Sequence, residues 1–508
     1  MSELTIMGIT TGSHDASVAV VRNNKIVFAS QSERYSRIKN DSDLNYDVLI
    51  DACNSVDRID RIYFYEKPLL KKTRQIYAGQ WNEIFNSNVI LDFKSIAKDV
   101  YIGHNEVLSN IPITYINHHA AHAAQAFACP YNKSIVLVVD AIGEWDTCSI
   151  WLYDINNKVK LQKLESVNYP MSLGLMYSAF TQYVGLKPNE DEYIFMGMAA
   201  YGEPKYTKYI RTLICNENNE INVNFHKGLP DYIEHDIIFK SINECDLAAS
   251  IQKILEEEIL KLIDKVSQYQ IQYNTTNLVY SGGIALNCVI NSLIQQKIPN
   301  LWIFPNPGDS GCSVGAALYG YNDKIKFDSP YLGYNIRGKY PVEDLLNELL
   351  TSGIVGVANG RAEFGPRALG NRSLLANPTI ENIKDKINDI KKRQKFRPFA
   401  PIILEEQFDS YYYTNGIKAS PYMQYVYTAK ENNKYTSVMH IDNTSRVQTI
   451  NKKQHPDLYS LLFRFYQLTG CPMLLNTSLN IKGMPIVNNK YDAKEFEDKY
   501  GVRVKTKI

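Results

Sequence analysis

The sequence predicts an α/β protein with a duplicated N-terminal domain, residues 1–328, and an α+β C-terminal domain, residues 329–508. Two observations favour this architecture. A strand, a glycine-containing turn and a hairpin occur at 6–28 and again at 136–161. A linker rich in Tyr, Asn, Asp, Pro and Gly follows at 321–345, where the sequence pattern changes. We therefore place the domain boundary within this linker.

The two copies of the unit share glycines and turns. Gly12 in the first copy corresponds to Gly143 in the second, and both follow the first strand of their copy. The hairpins then turn at Asn23-Asn24 and at Asn156-Asn157. Because Asn tolerates positive φ, both are predicted to be two-residue turns. Two unrelated hairpins would share only part of this pattern, so the common order of glycine, strand and turn favours a duplication.

A duplicated strand–turn–hairpin, with helices after each copy, is typical of the two lobes of the actin-like ATPase (ASKHA) fold. In that fold the first turn of each lobe faces the nucleotide phosphates, which makes Gly12 and Gly143 candidate nucleotide-binding residues. A third element has a strand that ends in Ser281-Gly282-Gly283 and a helix that starts near Leu286. Glycines admit an anion close to the backbone, and free amides at a helix start favour negative charge. Gly282 and Gly283 therefore join the nucleotide-binding group.

Two histidines in the segment NHHAAHAAQAF form a candidate metal site. The alanines favour a helix, and the i, i+4 spacing puts the imidazoles of His118 and His122 on one face. Asp140 closes the strand SIVLVVD, and Asp309 lies in a glycine-flanked turn before a helix of small residues. Two imidazoles and two carboxylates suit iron, manganese or zinc better than calcium. His119 is an alternative that spacing does not exclude, and H-x-x-x-H pairs are often only structural.

Basic and amide side chains are concentrated in the C-terminal domain, among a predicted strand at 354–360, a helix at 380–394 and a strand at 473–480. Guanidinium forks beside amide or hydroxyl donors suit a small phosphate or carboxylate ligand. A solvated helix face would explain the run KKRQKFRP by itself, but the aromatics and prolines that follow it indicate packed chain. The candidate residues are Arg367, Lys391, Arg397, Arg446, Asn476 and Ser478.

Composition and charge restrict the class of protein. The 508 residues carry 55 Lys+Arg against 54 Asp+Glu, and this net charge of +1 argues against nucleic acid or a membrane as the partner. The 45% of hydrophobic residues is typical of a globular chain. The eight cysteines are scattered without a C-x-x-C pair, which indicates a reducing environment. The sequence therefore predicts a cytoplasmic enzyme and leaves its oligomeric state open.

The motifs together resemble the O-carbamoyltransferase family that includes nodulation protein U, cephalosporin carbamoyltransferase and TobZ. The resemblance runs over nearly the whole chain. It is most specific in EFGPRALGNRS followed by FRPFAP. The other matching segments are GSHDASVAVV, SERYSRIKND, NHHAAHAA, SLGLMYSAFTQYVG, DEYIFMGMAAYGEP, SGGIALN, GDSGCSVGAA, SRVQT and NTSLN.

The resemblance implies a YrdC-like C-terminal domain behind the actin-like one, and it implies roles for the candidate residues. His118, His122, Asp140 and Asp309 would hold a divalent metal, namely Fe(II). Lys39 and Asn287 would join the nucleotide-binding group, with Mg-ATP as co-substrate. The six candidates of the C-terminal domain would bind carbamoyl phosphate. Family chemistry makes carbamoyladenylate from carbamoyl phosphate and ATP, and then passes the carbamoyl group to a hydroxyl of a small molecule, either a sugar or a natural product.

This chemistry has a physical rationale and requires a base. Nitrogen donation makes a carbamate a poor electrophile, and a mixed anhydride with AMP supplies a good leaving group. The acceptor hydroxyl must lose a proton, for which imidazole has a suitable pKa near neutrality. His14 lies on the first phosphate-side turn and is the candidate catalytic base, with an expected pKa near 6–7 unless neighbouring groups shift it. Alternatively, His14 only orders that turn.

Three other functions use parts of the same pattern. A tRNA threonylcarbamoyladenosine-type modification enzyme shares the adenylate chemistry, but the near-neutral charge offers no footprint for RNA. A sugar kinase of the actin-like fold would leave the histidine pair and the C-terminal domain without a role. A non-catalytic nucleotide-binding partner does not require the full set of polar residues. We therefore favour the small-molecule O-carbamoyltransferase.

Overall fold

The computed structural model of the protein describes residues 4–12, 14–81, 89–103, 106–395, 397–431 and 433–506. Strands and helices alternate through these ranges, which confirms the α/β class. The α-helices are Glu33–Ser36, Tyr46–Asn54, Pro68–Tyr77, Val89–Ala97, His118–Ala124, Leu173–Tyr183, Glu192–Met198, Thr207–Ile214, Asp231–Glu234, Ile237–Lys240, Glu244–Gln272, Cys288–Lys297, Cys312–Tyr321, Val342–Thr351, Ile383–Ile390, Phe408–Tyr411, Pro456–Thr469 and Lys490–Tyr500.

The first lobe is built on a mixed sheet in the order β3-β2-β1-β4-β7, in which β1 and β2 are antiparallel and β1, β4 and β7 are parallel. Its strands alternate with helices that cover the sheet, and its core contains Met7, Ile9 and Val18. The strands of this region are β1 (Thr5–Thr10), β2 (Ser17–Arg22), β3 (Lys25–Gln31), β4 (Arg61–Phe64), β5 (Tyr101–Ile102), β6 (Glu106–Val107) and β7 (Ile113–Tyr115).

The second lobe repeats this sheet order. Its strands are β8 (Lys133–Val139), β9 (Asp146–Asp154), β10 (Leu161–Asn168), β11 (Leu278–Ser281) and β12 (Leu301–Ile303). They pair in the order β10-β9-β8-β11-β12, so that β8, β9 and β10 occupy the places of β1, β2 and β3. The internal duplication that the sequence predicts is therefore present in the sheet topology.

The two hairpin turns differ, although the sequence predicts two equal ones. Asn23 and Asn24 both have positive φ, 52° and 56°, and form the expected two-residue turn. In the second copy, β9 ends at Asp154 and β10 begins only at Leu161. The pairing of these strands shifts register between Lys163 and Glu165. The prediction of a two-residue turn at Asn156-Asn157 is therefore wrong: the backbone amide of Asp154 donates to the carbonyl of Lys160 at 2.9 Å, which closes a longer loop.

The C-terminal region contains a mixed sheet in the order β20-β17-β21-β16-β14-β22 and two small antiparallel pairs, β13 with β15 and β18 with β19. The strands predicted at 354–360 and 473–480 are present, whereas the helix predicted at 380–394 ends at Ile390 because Lys392 adopts a positive φ. The strands are β13 (Tyr331–Ile336), β14 (Ile354–Ala358), β15 (Gly360–Glu363), β16 (Arg372–Ala376), β17 (Ala400–Leu404), β18 (Val426–Thr428), β19 (Thr444–Arg446), β20 (Gln448–Ile450), β21 (Met473–Ser478) and β22 (Val504–Lys505).

One helix of small residues brings the site elements together. The helix Cys312–Tyr321 packs against β1 on one side and against the helix His118–Ala124 on the other. A Cβ on Gly315 would lie 1.8 Å from the carbonyl oxygen of Ala121, and one on Gly8 would lie 1.9 Å from that of Ser313. Glycine is required at both contacts, since only its absent side chain permits such a close approach. The turn before this helix therefore lies directly beside the histidine helix.

Candidate functional site

Two imidazoles face each other on the helix His118–Ala124. Both His118 and His122 are buried, and their Nε2 atoms are 3.1 Å apart, so the i, i+4 prediction is confirmed in its geometry. The other ring nitrogen of His122 lies 3.3 Å from the hydroxyl of Ser281, which in turn donates to the side chain of Gln125 at 2.9 Å. These contacts fix the orientation of the His122 ring.

Two carboxylates converge on the same point from different elements. Asp140 follows β8, and its Oδ2 lies 3.1 Å from Nε2 of His118, while its Oδ1 accepts from the backbone amide of Gly283 at 2.9 Å. Asp309 starts a 3-10 turn, and its Oδ1 lies 3.3 Å from Nε2 of His122 and 3.5 Å from that of His118. Both lobes therefore contribute to one four-residue cluster.

The chemistry and the spacing of this cluster suit a metal ion. Two imidazole nitrogens and two carboxylate oxygens lie within 4.8 Å of one another. Four ligands with bonds of about 2.1 Å to one ion are separated by roughly 3.0–3.4 Å, and most of the observed contacts fall close to that range. His118, His122, Asp140 and Asp309 could therefore hold a divalent cation, as the sequence predicts. The mixed nitrogen and oxygen donors favour a transition metal.

The alternative ligand His119 points elsewhere. Its Nδ1 lies 2.7 Å from the hydroxyl of Ser149, which also accepts from the indole of Trp151. Burial lowers the pKa of His119 well below its usual value, and the nearby His118 acts in the same direction. This histidine is therefore a neutral core residue.

The carboxylates and imidazoles of the cluster form tight ion pairs. Burial lowers the pKa of His118, but the charges of Asp309 and Asp140 outweigh it and raise the pKa to about 9. Burial raises the pKa of Asp140, but the hydrogen bond with His118 and the charge of His122 hold it well below its ordinary value. The pKa of Asp309 is also lowered, by His118 and His122, against the effects of its own burial and of Asp140.

His14 stands at the edge of this cluster. Its Nε2 lies 3.6 Å from Oδ2 of Asp309, and its Nδ1 lies 3.1 Å from Oδ2 of Asp15. Burial lowers the pKa of His14, but the hydrogen bond with Asp15 and the charge of Asp309 raise it to about 10. The neighbouring carboxylates therefore move the pKa of His14 above the range of 6–7 expected without them, and the sequence alone does not show that Asp309 faces the ring.

A single cavity of about 480 Å³ connects this cluster with the C-terminal domain. At one end it is lined by His14, Asp140 and Asp309. Its other end is lined by five basic side chains, namely Arg367, Lys391, Arg393, Arg397 and Arg446. Residues that are far apart in the sequence, and that were predicted separately as metal and anion ligands, therefore border one continuous space.

Three of the predicted arginines line the cavity, and none of them has a carboxylate partner among the described residues. Arg367 makes no hydrogen bond or ion pair with the described residues, and the Arg397 guanidinium lies over the ring of Tyr193, 4.7 Å from its centroid. Arg446 contacts the thiol of Cys288, and its Nε is buried without a partner among the described residues. Such unpaired guanidiniums are an unusual arrangement that favours an anionic ligand.

Burial and mutual repulsion lower the pKa values of the guanidiniums that line the cavity. Burial lowers the pKa of Arg367 to about 9, and the like charges of Arg446 and Arg397 act in the same direction. Burial also lowers the pKa of Arg393 to about 9, together with the charge of Arg397. An anion bound between these groups would relieve the repulsion.

The remaining predicted anion ligands are engaged with the protein itself. The Lys391 ammonium donates to the carbonyl and side-chain oxygens of Asn480 at 2.8 and 3.0 Å and also contacts Ser478. The Ser478 hydroxyl donates to the side chain of Asn480 at 2.6 Å. Asn476 donates to Ala368 and Gln448, and its Oδ1 has no partner among the described residues. All three predicted residues border the cavity, with Lys391 in a supporting position.

The predicted nucleotide-binding residues are divided between the cavity wall and the layer behind it. Lys39, Gly283 and Asn287 line the cavity. Asn287 also caps the helix Cys288–Lys297, which begins two residues later than the predicted start near Leu286. Gly12, Gly143 and Gly282 do not belong to the described residues that line the cavity. Gly282 has a φ of 99°, and a Cβ there would lie 2.2 Å from the carbonyl oxygen of Val139, so it is required by the chain path.

Comparison with known families decides the identity. A family profile described as carbamoyltransferase N-terminus matches residues 5–318, and one described as carbamoyltransferase C-terminus matches residues 346–505. The chain belongs to the carbamoyltransferase family. It is an enzyme of this family, as the sequence predicts.

Relatives resemble this carbamoyltransferase over nearly its whole length. A protein of Synechocystis, sll1178, is 32% identical over 96% of this chain and 93% of its own length. Nodulation protein NolNO of Sinorhizobium fredii is 28% identical over 94% of this chain and 76% of its own. The 3'-hydroxymethylcephem-O-carbamoyltransferase of Amycolatopsis lactamdurans is 25% identical over 94% of both chains. A solved structure of HypF from T. kodakarensis shares 13% identity at a TM-score of 0.35, over 63% of this chain and 47% of its own, which is too distant to inform the chemistry.

The most family-specific motif of the carbamoyltransferase forms a loop that presents Arg367. Oε1 of Glu363 accepts from the backbone amides of Leu369 and Asn371 at 2.7 Å each and from that of Arg372 at 3.3 Å. One buried carboxylate therefore closes the loop GPRALGN on itself. The motif marks this loop in the sequence, but its spacing does not show that the Glu363 carboxylate accepts the backbone amides that close the loop.

Sequence reasoning missed two residues of this carbamoyltransferase site. Arg393 lines the cavity beside Arg397, and its place in the run KKRQKFRP was the available signal. Glu144 accepts from the backbone amides of His118 and Lys67 behind the histidine–aspartate cluster, and no sequence pattern indicates it. Among the described residues, no helix has both the length and the apolar character needed to cross a membrane.

Proposed function

We propose that this carbamoyltransferase is an ATP-dependent O-carbamoyltransferase, which makes carbamoyladenylate and transfers its carbamoyl group to a hydroxyl of a sugar or a natural product. The observation that carries the proposal is the continuous cavity that runs from unpaired arginines to the histidine–aspartate cluster. Two reactions that share one unstable intermediate require such a path, because the intermediate must not escape into water. The names of the nodulation and cephem relatives are consistent with this class of reaction.

The proposal assigns carbamoyl phosphate to the arginine end of the cavity. Arg367, Arg397 and Arg446 would hold its phosphate through charge-assisted hydrogen bonds, with Asn476 and Ser478 as polar neighbours. Lys391 would support the ligand through Ser478. Water hydrolyses carbamoyl phosphate to carbamate and phosphate, and a carbamate oxygen then attacks the α-phosphorus of ATP while pyrophosphate leaves. The product is carbamoyladenylate, in which AMP is the leaving group for the second step.

The second step would take place at the other end of the cavity. The acceptor oxygen attacks the carbamoyl carbon, AMP leaves, and the hydroxyl proton passes to a base, for which we propose Nε2 of His14. A cation held by Asp309 would offset the carboxylate charge that raises the pKa of this ring, and would thereby favour the neutral imidazole that can accept a proton. A divalent metal, Fe(II) by resemblance, held by His118, His122, Asp140 and Asp309 would supply positive charge next to the adenylate phosphate. Gly12, Lys39, Gly143, Gly282, Gly283 and Asn287 are the proposed nucleotide-binding residues.

The proposed domain architecture corresponds to these two reaction steps. We propose an actin-like domain of two lobes at 1–328 and a YrdC-like domain at 329–508. The repeated sheet order supports the first assignment. For the second, the support is the sequence resemblance together with a separate mixed sheet after the linker.

Pyrophosphate release tests the activity. The protein is incubated without oxygen with ATP, carbamoyl phosphate and Fe(II), and pyrophosphate is measured without any acceptor. We expect release that requires both ATP and carbamoyl phosphate. When an acceptor is added, His118→Ala and Asp309→Ala should lose both bound metal and transfer of the carbamoyl group while remaining folded. Arg464→Ala, which removes an exposed arginine paired with Glu343, is the matched control and should behave as wild type. Absence of pyrophosphate from folded, metal-loaded wild type would overturn the proposal.

A further inference from the structure

A thiol lies beside the two histidines of the cluster. Cys312 begins the helix Cys312–Tyr321, immediately after the turn that carries Asp309. Its Sγ and one ring nitrogen each of His118 and His122 lie within 4.8 Å of one another, and all three side chains are buried. The histidine pair therefore has two sets of neighbouring donors: the oxygens of the two aspartates and the sulfur of this cysteine.

The packing around Cys312 holds the thiol in this place. The side chain is fully buried in the first-lobe core, which also contains the small residues Ala121 and Ala316. The glycine contacts at Gly8 and Gly315 bring its helix close to β1 and to the histidine helix. Because the backbone on both sides is fixed, the sulfur is limited to rotation about its own Cα–Cβ bond.

We propose that Cys312 is an additional metal-ligating residue, which allows His118 and His122 to hold a thiophilic divalent ion such as Zn²⁺ or Co²⁺ through a third, sulfur ligand. The inference rests on the metal site of the proposed function and extends it. On ligation the S–H bond breaks, a bond from sulfur to the metal forms, and the proton passes to the buffer. No oxidant or reductant is required, since the metal keeps its oxidation state.

This donor set has a consequence for metal selectivity. Thiolate binds zinc, cobalt and iron well and magnesium poorly, whereas the carboxylates accept both classes. Loss of the thiol should therefore weaken binding of Zn²⁺ by at least the roughly tenfold that loss of an outer-shell partner costs at metal sites, and should leave Mg²⁺ binding unchanged. The cysteine would thus bias the site toward transition metals and away from the Mg²⁺ that accompanies ATP.

Cobalt absorption tests the proposal without relying on activity. Co²⁺ is added to the metal-free protein without oxygen, and two features are recorded: visible ligand-field bands, which report binding, and a near-ultraviolet charge-transfer band, which reports a sulfur ligand. We expect both in wild type. Cys312→Ala should keep the ligand-field bands and lose the charge-transfer band. The matched control Cys53→Ala removes another buried thiol of the same lobe and should retain both.

Each other outcome has a defined meaning. If wild type shows ligand-field bands that disappear in His118→Ala but shows no charge-transfer band, the metal site stands and the role of Cys312 is overturned. If Cys312→Ala keeps the charge-transfer band, the role is equally overturned. If Co²⁺ does not bind to wild type at all, both the metal site and this inference fail. The wild-type spectrum alone can refute sulfur ligation by Cys312. The test therefore remains decisive even if the Cys312→Ala variant does not fold.

Discussion

Two neighbouring arginines, Arg367 in a loop and Arg372 at the start of β16, show how hydrogen-bond partners distinguish a structural side chain from one that can bind a ligand. Arg372 is fully buried, and its guanidinium donates to five backbone carbonyl oxygens at 2.8–3.2 Å. Arg367, five positions earlier, makes no such bond with the described residues and borders the cavity. A buried guanidinium with all its donors satisfied holds the fold together, whereas one without partners is free to bind a ligand.

The arginine end of the cavity can be tested with Arg446. Arg446→Ala should weaken carbamoyl phosphate binding roughly 10- to 100-fold, because one charge-assisted pair contributes about 1.5–3 kcal/mol. ATP binding should remain nearly unchanged if ATP binds toward the other end. Calorimetric titration of both ligands measures this, with Arg464→Ala as the exposed control. Equal weakening of the two ligands would contradict separate subsites.

The role of His14 can be tested by separating the two steps. If its ring accepts the acceptor proton, His14→Asn should still release pyrophosphate at the wild-type rate and transfer the carbamoyl group about 10²–10⁴-fold more slowly. Single-turnover measurements of pyrophosphate and of carbamoylated acceptor on the same variant provide the two rates. A parallel loss of both steps would instead place His14 in the nucleotide site.

At the scale of elements, one carboxylate joins the parts that carry the histidine–aspartate cluster. Glu144 lies between β8 and β9. Its carboxylate accepts a hydrogen bond from the backbone amide of Lys67 at 2.7 Å and another from that of His118 at 3.1 Å. These amides belong to the starts of two helices, where a negative charge is favourable. Glu144 therefore fixes the histidine helix relative to the strand end that carries Asp140.

This positioning role predicts a difference between two substitutions of Glu144. Glu144→Ala removes the acceptor and should weaken metal affinity by about 10- to 100-fold, as loss of an orienting partner does at other metal sites. Glu144→Gln keeps an acceptor oxygen and should stay much closer to wild type. Competition with a chromophoric chelator measures both affinities. Wild-type affinity in Glu144→Ala would show that the helix holds its position without this contact.

The elements that sequence patterns could predict are those with local periodicity. The i, i+4 histidines and the strand end at Asp140 follow from helix and strand spacing, and both lie where expected. Contacts such as Glu144 with His118 or Glu363 with Leu369 join side chains to distant backbone amides, and no local spacing encodes them. The length of the second hairpin loop could not be predicted for a related reason, since the loop is closed by a hydrogen bond between Asp154 and Lys160, outside the Asn-Asn pair.

At the scale of the whole molecule, the C-terminal domain is tied to both lobes around the cavity. Arg34 of the first lobe donates to the carbonyl of Gly365 at 2.9 Å, and Arg37 donates to that of Ile486 at 2.7 Å. The hydrophobic core of the second lobe continues without a break into that of the C-terminal region. The two lobes and the C-terminal region therefore enclose the cavity together, and each buries part of the surface of the others.

The shared core predicts that the second lobe and the C-terminal domain unfold together. The hydroxyl of Ser292 accepts from the amide of Val426 at 2.8 Å and donates to its carbonyl at 3.0 Å, across the two regions. Ser292→Ala leaves both backbone groups without this partner and should cost about 1–3 kcal/mol. Hydrogen exchange followed by mass spectrometry should show faster opening in both regions at once. Ser267→Ala, whose hydroxyl bonds only to Ile263 of its own helix, is the control and should change little. Faster exchange confined to one region would mean that the two unfold independently in spite of their common core.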